Sequence, residues 1–142
     1  MFVDAPVSVA ILNKEPGWEE LEKQLSAATG PAHVSPLVRF EAVQGLAQAA
    51  AENTKKNTKP TPDMIARARG LVDDFVTEIM AKDIIISVDI GNGAIEASMN
   101  YGKAVGHKAD LNFGDCFAYA CATAHRLPLL YRGNGFSQTD LA

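Results

Sequence analysis

The stretch Leu111-Asn-Phe-Gly-Asp115-Cys-Phe-Ala-Tyr-Ala-Cys-Ala-Thr-Ala-His-Arg-Leu-Pro-Leu-Leu130 reads as a capped helix followed by a short apolar strand. Asn112 is a good N-cap, and Asp115 falls three residues later, where the first turn still has unpaired N–H groups. Asp115 has two readings. A carboxylate in a first turn commonly caps the helix or compensates its dipole. Alternatively, it joins carboxylates from distant parts of the chain to hold a divalent metal.

Upstream, Met1-Phe-Val-Asp4 is an apolar strand ending on an acid. Pro6 suits the first turn of a helix with Val9, Ile11 and Leu12 as its apolar body. Asn13 to Gly17 is turn-rich, and a second helix follows through Trp18, Leu21, Leu25 and Ala28, with Gly30 as its stop. His33-Val-Ser35 is a short strand. Ser35-Pro36 then starts a helix running through Phe40, Val43, Ala47 and Ala50, with Ser at the N-cap and Pro at the first helical position. Glu52 to Lys59 reads as an exposed loop. Thr61-Pro62-Asp63 starts the next helix, whose stripe of Met64, Ile65, Ala68, Leu71, Val72, Phe75 and Ile79 has period 3.6. Ile84-Ile-Ile-Ser-Val88 has the composition of a strand buried on both faces. A helix from about Gly93 to Tyr101 and a basic loop, Gly102 to Lys108, lead into the quoted stretch. Leu127 to Tyr131 is the last strand, and Arg132-Gly-Asn-Gly-Phe136 is a turn.

Strands alternate with helices, which predicts an α/β fold: a three-layer α/β/α sandwich with a mainly parallel central sheet. Right-handed crossovers put helices on both faces, and function collects at the carboxyl ends of the strands. The 142 residues are expected to form a single domain, 1–142. A hydrophobic share of 47% and a charged share of 21% are those of an ordinary globular protein. The net charge of −4 argues against reliance on a strong overall basic field, although a local basic rim around an acidic site can still hold nucleic acid. Cys116 and Cys121 lie five apart on one helix, their Cα atoms roughly 7–8 Å apart on diverging faces, beyond disulfide reach. No apolar run approaches the ~20 residues of a membrane span, and the first residues carry no signal-peptide pattern, so a cytoplasmic protein is expected.

In a parallel sheet Asp4, Glu41 and Asp115 share one edge. Asp4 ends the first strand, Glu41 follows the second, and Asp115 opens the helix before the last. Gathered acids repel and need a compensating cation. Hard oxygen donors without His or Cys suit Mg²⁺ or Mn²⁺, which lower the pKa of a bound water and polarise a phosphoryl oxygen. An acid directly after an apolar strand has little local role, so Asp4 is the leading candidate. A solvated helix face competes for Glu41, and capping competes for Asp115.

Met1-Phe-Val-Asp4-Ala-Pro-Val-Ser-Val-Ala-Ile-Leu12, Ser35-Pro-Leu-Val-Arg-Phe-Glu41-Ala-Val, Tyr101-Gly-Lys103, Leu111-Asn-Phe-Gly-Asp115-Cys-Phe-Ala-Tyr-Ala120 and Leu127-Pro-Leu-Leu-Tyr-Arg-Gly-Asn-Gly-Phe-Ser-Gln-Thr-Asp140 together resemble the PIN-domain ribonuclease toxins called VapC. The resemblance covers essentially the whole chain and implies a PIN-like fold. It also implies a Mg²⁺- or Mn²⁺-dependent endoribonuclease that cleaves RNA, is neutralised by a VapB-like antitoxin and forms a homodimer, with no DNA contact by the toxin itself. The family's acids map onto Asp4, Glu41 and Asp115. Two positions depart from the family pattern. Pro6 stands where a Ser is usual, and Asn134 and Gly135 occupy a turn that usually carries acids. The alternative expectation is a PIN-fold binding module that engages an antitoxin, itself or RNA without efficient cleavage.

Lys103, His107, Lys108, Arg126 and Arg132 cluster in sequence near the proposed site, and Lys108 and Arg132 are the candidates for RNA phosphates. A solvated basic loop is an equal reading for Lys103 and Lys108. Asp89, Glu96, Asp110 and Asp140 read as surface or turn acids, and His125 as a residue complementing a helix end.

Overall fold

The computed structural model describes residues 1–141. The last residue of the expected domain, Ala142, lies outside them. Among the described residues, four short strands alternate with six helices: β1 (Phe2–Val3), α1 (Ala5–Asn13), α2 (Trp18–Ala27), β2 (His33–Val34), α3 (Pro36–Thr54), α4 (Pro62–Glu78), β3 (Lys82–Asp83), α5 (Val88–Tyr101), α6 (Phe113–Ala124) and β4 (Leu129–Leu130). Single 3₁₀ turns follow α5 at Lys103–Val105 and β4 at Phe136–Gln138.

The sheet is wholly parallel, in the order β3-β2-β1-β4. Phe2 aligns with His33 on one side and Leu129 on the other, so β1 is central; Phe2 and Val3 are fully buried. Two successive crossovers step from β1 to β2 to β3. The third, through α5 and α6, returns past β1 to β4. Right-handed crossovers therefore put α1–α4 on one face and α5–α6 on the other. The winding reverses between β1 and β4. The carboxyl ends of these two strands form the switch point at which open α/β sheets bind ligands. Residues 4 and 131–132 emerge there.

Side-chain caps fix several helix starts. Ser35 Oγ accepts from the Val38 N–H, Ser87 Oγ from the Ile90 N–H and Thr61 Oγ1 from the Met64 N–H, at 3.2, 3.2 and 3.3 Å. Helix α6 has a full capping box. The Asp115 N–H donates to Asn112 Oδ1 at 2.9 Å, and the Asn112 N–H donates to Asp115 Oδ2 at 3.0 Å. Both cysteines are free and buried. Among the described residues, no helix is long and apolar enough to cross a membrane.

Several boundaries differ from the sequence expectation. The third strand is Lys82–Asp83, two residues before the apolar run, and it is an exposed edge strand. Only Ile84 of that run adds to the ladder, its N–H donating to the Val34 carbonyl at 2.8 Å, and it is buried. Ile85 and Val88 are 82% and 80% exposed, because β-branched composition reports a strand only where a second layer covers it. Helix α5 starts at Val88, not near Gly93, because Ser87 caps it and helical pairing carries Gly91 and Gly93 along. Helix α3 runs to Thr54, into the expected loop, and α2 ends at Ala27, before Gly30.

Candidate active site

Asp4 is 3% exposed and is the N-cap of α1: the Ala5 N–H donates to its Oδ1 at 2.9 Å. The expectation that an acid directly after the strand has little local role is therefore corrected. The cap fixes the rotamer and leaves Oδ2 outside that bond. Burial, and then the charges of Asp115 and Glu41, push the Asp4 carboxyl up to about 7, against the pull of the Ala5 hydrogen bond.

Glu41 is half-buried on the second turn of α3, facing the start of α6. Its carboxylate lies over Gly114, where a Cβ would overlap both oxygens and the carboxyl carbon. Glycine at 114 is thus a requirement of close approach, not of backbone freedom. Glu41 Oε1 is buried with no hydrogen-bond partner. A solvated helix face does not describe this side chain. Burial raises its pKa first, and the Asp115 charge raises it further.

Asp115 is the acid of the α6 capping box, so the capping reading holds in the structure. One oxygen, Oδ2, serves the cap. Burial raises its pKa, the Asn112 N–H opposes, and the charge of Asp110 raises it again. Asp110, read from sequence as a turn acid, is indeed exposed with a positive φ of 54°, yet close enough for its charge to reach Asp115.

The three acids thus gather at the carboxyl edge and feel one another as charges. Among the described residues, no three His, Cys, Asp or Glu side chains already converge as a ligand set. Two of the three carboxylates are turned partly toward caps. The chemistry nevertheless fits a hard cation. All donors are carboxylate oxygens, two cap-held carboxylates each have a second oxygen, and Glu41 carries a buried oxygen with nothing to satisfy it.

A cleft of about 250 Å³ opens beside this cluster, lined by Ala5, Pro6, Glu15, Glu41 and Arg132 among others. Pro6 is exposed at the cleft and offers no hydrogen-bond donor. Arg132 does not extend freely into solvent. Its Nη1 is paired with Glu15 Oε2, and its Nη2 donates to the Pro16 carbonyl at 3.3 Å. Asn134 is exposed on the turn beyond, and a Cβ at Gly135 would lie 3.0 Å from the Ala109 carbonyl oxygen. Lys108 is exposed on the loop before Asp110. Sequence reasoning missed Glu15, because its partner is 117 positions away and no local pattern marks it. A second, larger groove of about 830 Å³ runs between α5 and α6 beside Val88, Ile95 and Phe113, and no acid lines it.

The PIN domain family model matches residues 1–141. A VapC ribonuclease of Rhizobium meliloti (strain 1021) is 53% identical over 140 residues, spanning 99% of this chain and 98% of the relative. A VapC ribonuclease of Mycobacterium tuberculosis (strain H37Rv) is 31% identical over 141 residues, spanning 99% and 96%. Among solved structures, a toxin–antitoxin complex from Klebsiella pneumoniae contains a chain with the same fold at 18% identity. It has a TM-score of 0.63 and covers 99% of this chain and 92% of that one.

Proposed function

Since the chain belongs to the PIN-domain family and, within it, to the VapC ribonucleases, we propose that it is a Mg²⁺- or Mn²⁺-dependent endoribonuclease toxin. Asp4, Glu41 and Asp115 would hold the ion. The observation that carries this reading is the buried, unpartnered Glu41 oxygen beside two cap-held carboxylates at the switch point of the sheet. Burial raises the pKa of all three, and the charge of Asp115 raises Asp4 and Glu41 further, a cost that a bound cation would relieve.

When bound, the ion supplies Lewis acidity toward a phosphoryl oxygen and makes water more acidic. The protein's own part is preorganisation. The Ala5 and Asn112 N–H groups hold Asp4 and Asp115 in fixed rotamers, and Gly114 admits Glu41 against the start of α6. Asp4 holds its proton to about pH 7, so loading the site requires the loss of that proton. Arg132 adds a cation at the cleft mouth, and Lys108 stands on the exposed loop beyond. Single-stranded or looped RNA is the substrate class, since its backbone is reachable there.

A VapB-like antitoxin is the partner that membership of this family supports, in a cytoplasmic setting and with no DNA contact by this chain. A homodimer belongs to the same proposal. Val88, Ile95, Met99, Val105 and Phe113 are 59–80% exposed, an apolar surface of the kind that a second copy covers. The second reading, a binding module without efficient cleavage, draws on the turn at Asn134 and Gly135, which carries no carboxylate. The relatives named as ribonucleases favour the enzyme.

The test is cleavage of single-stranded RNA in Mn²⁺ by the wild-type chain and by Asp4→Asn. Wild-type cleavage that EDTA and the substitution both abolish is expected. Equal cleavage by the two proteins would remove Asp4 from the mechanism.

A further inference from the structure

The Glu15–Arg132 ion pair is the one feature of the cleft that the carboxylate chemistry does not use. Arg132 follows β4 at the switch point, and Glu15 follows α1. The turn that presents Glu15 is firmly built. Lys14 adopts a positive φ of 50°, the Glu15 N–H donates to the Ala10 carbonyl at 2.9 Å, and the Trp18 N–H donates to the Glu15 carbonyl at 3.0 Å. Asn13 Nδ2 also donates to Glu15 Oε1 at 3.3 Å. Lys14, next in line, is occupied over the Trp18 ring at 5.6 Å. Among the residues lining the cleft, Arg132 is the one cation, and Glu41 lines it together with Glu15.

A guanidinium fork matches carboxylate and phosphate oxygens in the same way. The side chains of Arg132 and Glu15 are 37% and 26% exposed, so solvent and solutes reach the pair. The cleft of about 250 Å³ has room for a phosphodiester group. We propose that the Glu15–Arg132 pair is a phosphate-binding site occupied by the protein's own carboxylate, which an RNA phosphate displaces as the substrate enters beside Glu41. Arg132 binds the phosphate, and Glu15 competes with it. The competition leaves Arg132 preset at the cleft mouth while lowering its affinity for RNA at large. The inference rests on the ribonuclease reading for its ligand.

The test measures binding of a fluorescein-labelled, mixed-sequence single-stranded RNA in EDTA, which prevents cleavage, by anisotropy over a range of salt. Wild type, Glu15→Gln, Arg132→Ala and the double variant are compared. Arg132→Ala weakens binding by roughly tenfold and lowers the slope of log K against log salt by about 0.7, one phosphate contact on a single strand. Glu15→Gln moves affinity the other way: it tightens binding several-fold and leaves the slope near that of wild type, because the phosphate contact is the same and only its competitor is gone. The double variant behaves like Arg132→Ala, since Glu15 acts through Arg132. A pair that merely staples two loops would lower the melting temperature in both single variants and move RNA binding in the same direction, or not at all. Either result overturns the proposal while leaving the ribonuclease reading intact. If wild type neither binds nor cleaves RNA, the ribonuclease reading fails and takes this inference with it.

Discussion

The Glu41 carboxylate occupies the space that a Cβ on Gly114 would fill, so α3 approaches the start of α6 through an acid set against a glycine. Gly114→Ala should therefore act on the site more than on the fold. Glu41 is the far end of a flexible side chain and can swing away, and alanine gains helix propensity of up to about 1 kcal/mol over glycine. The expected outcome is a melting temperature within a few degrees of wild type, with Mn²⁺ affinity and RNA cleavage each down by at least roughly tenfold. Calorimetry and a cleavage assay check it. Unchanged Mn²⁺ affinity would mean that Glu41 does not hold the ion.

The buried Asp4 makes the metal-free protein less stable as pH rises. Folded Asp4 keeps its proton to about pH 7, while in the unfolded chain it ionises near 3.8. Between those values the folded state binds more protons, so stability is full below about pH 4 and declines as pH rises to about 7. The decline amounts to a few kcal/mol at most, and Glu41 and Asp115 add to it with the same sign. Thermal unfolding in EDTA from pH 4 to pH 8 measures it. Asp4→Asn, which can still accept from the Ala5 N–H, should flatten the profile and melt higher than wild type at pH 8. Mn²⁺ affinity should run the other way, rising with pH as the carboxyl gives up its proton. A wild-type profile no steeper than that of the variant would contradict the buried carboxyl.

Capping and charge at Asp115 can be separated. Asn112→Ala removes the side-chain cap of α6 and should cost about 1 kcal/mol of stability while leaving Mn²⁺ affinity within a few-fold of wild type. Asp115→Asn keeps an oxygen able to accept from the Asn112 N–H, so stability should hold while Mn²⁺ affinity falls by roughly tenfold or more. Denaturant unfolding and calorimetry on the two variants give the four values. Two variants that lose stability and affinity in the same proportion would make Asp115 a cap alone.

The turn at Asn134 and Gly135 tests what a fourth acid contributes. Gly135 has an ordinary helical φ of −58°, so a side chain there meets no backbone strain, only the Ala109 carbonyl oxygen at 3.0 Å. Gly135→Asp combined with Pro6→Ser should raise RNA cleavage in Mn²⁺ several-fold over wild type. No gain in a properly folded double variant would show that the missing groups do not limit the reaction.

What was legible in the sequence was mostly local. Asn112 with Asp115, Ser35 with Pro36 and Thr61 with Pro62 are capping patterns that act within one helical turn, and each formed as read. Parallel topology followed from alternation, and with it the shared edge of Asp4, Glu41 and Asp115. The Ser87 cap is hidden within the β-branched run, whose composition suggests a longer strand, an inference that fails on an exposed edge. The cap role of Asp4 was masked by Pro6, which marked the helix start but not its N-cap. Glu41 against Gly114 and Glu15 against Arg132 join residues 73 and 117 positions apart, and only the folded chain shows such meetings.

The proposed function requires Asp4, Glu41 and Asp115 to hold a divalent ion between them. A crystal of the wild-type protein soaked in Mn²⁺ at pH 8, with anomalous scattering used to place the metal, tests it most directly. The expected result is a peak in contact with Asp4 and with at least one of Glu41 and Asp115, with the orphaned Glu41 oxygen drawn to it directly or through water. A Mn²⁺ ion bound elsewhere, with the three carboxylates left as they stand in the free protein, would contradict it.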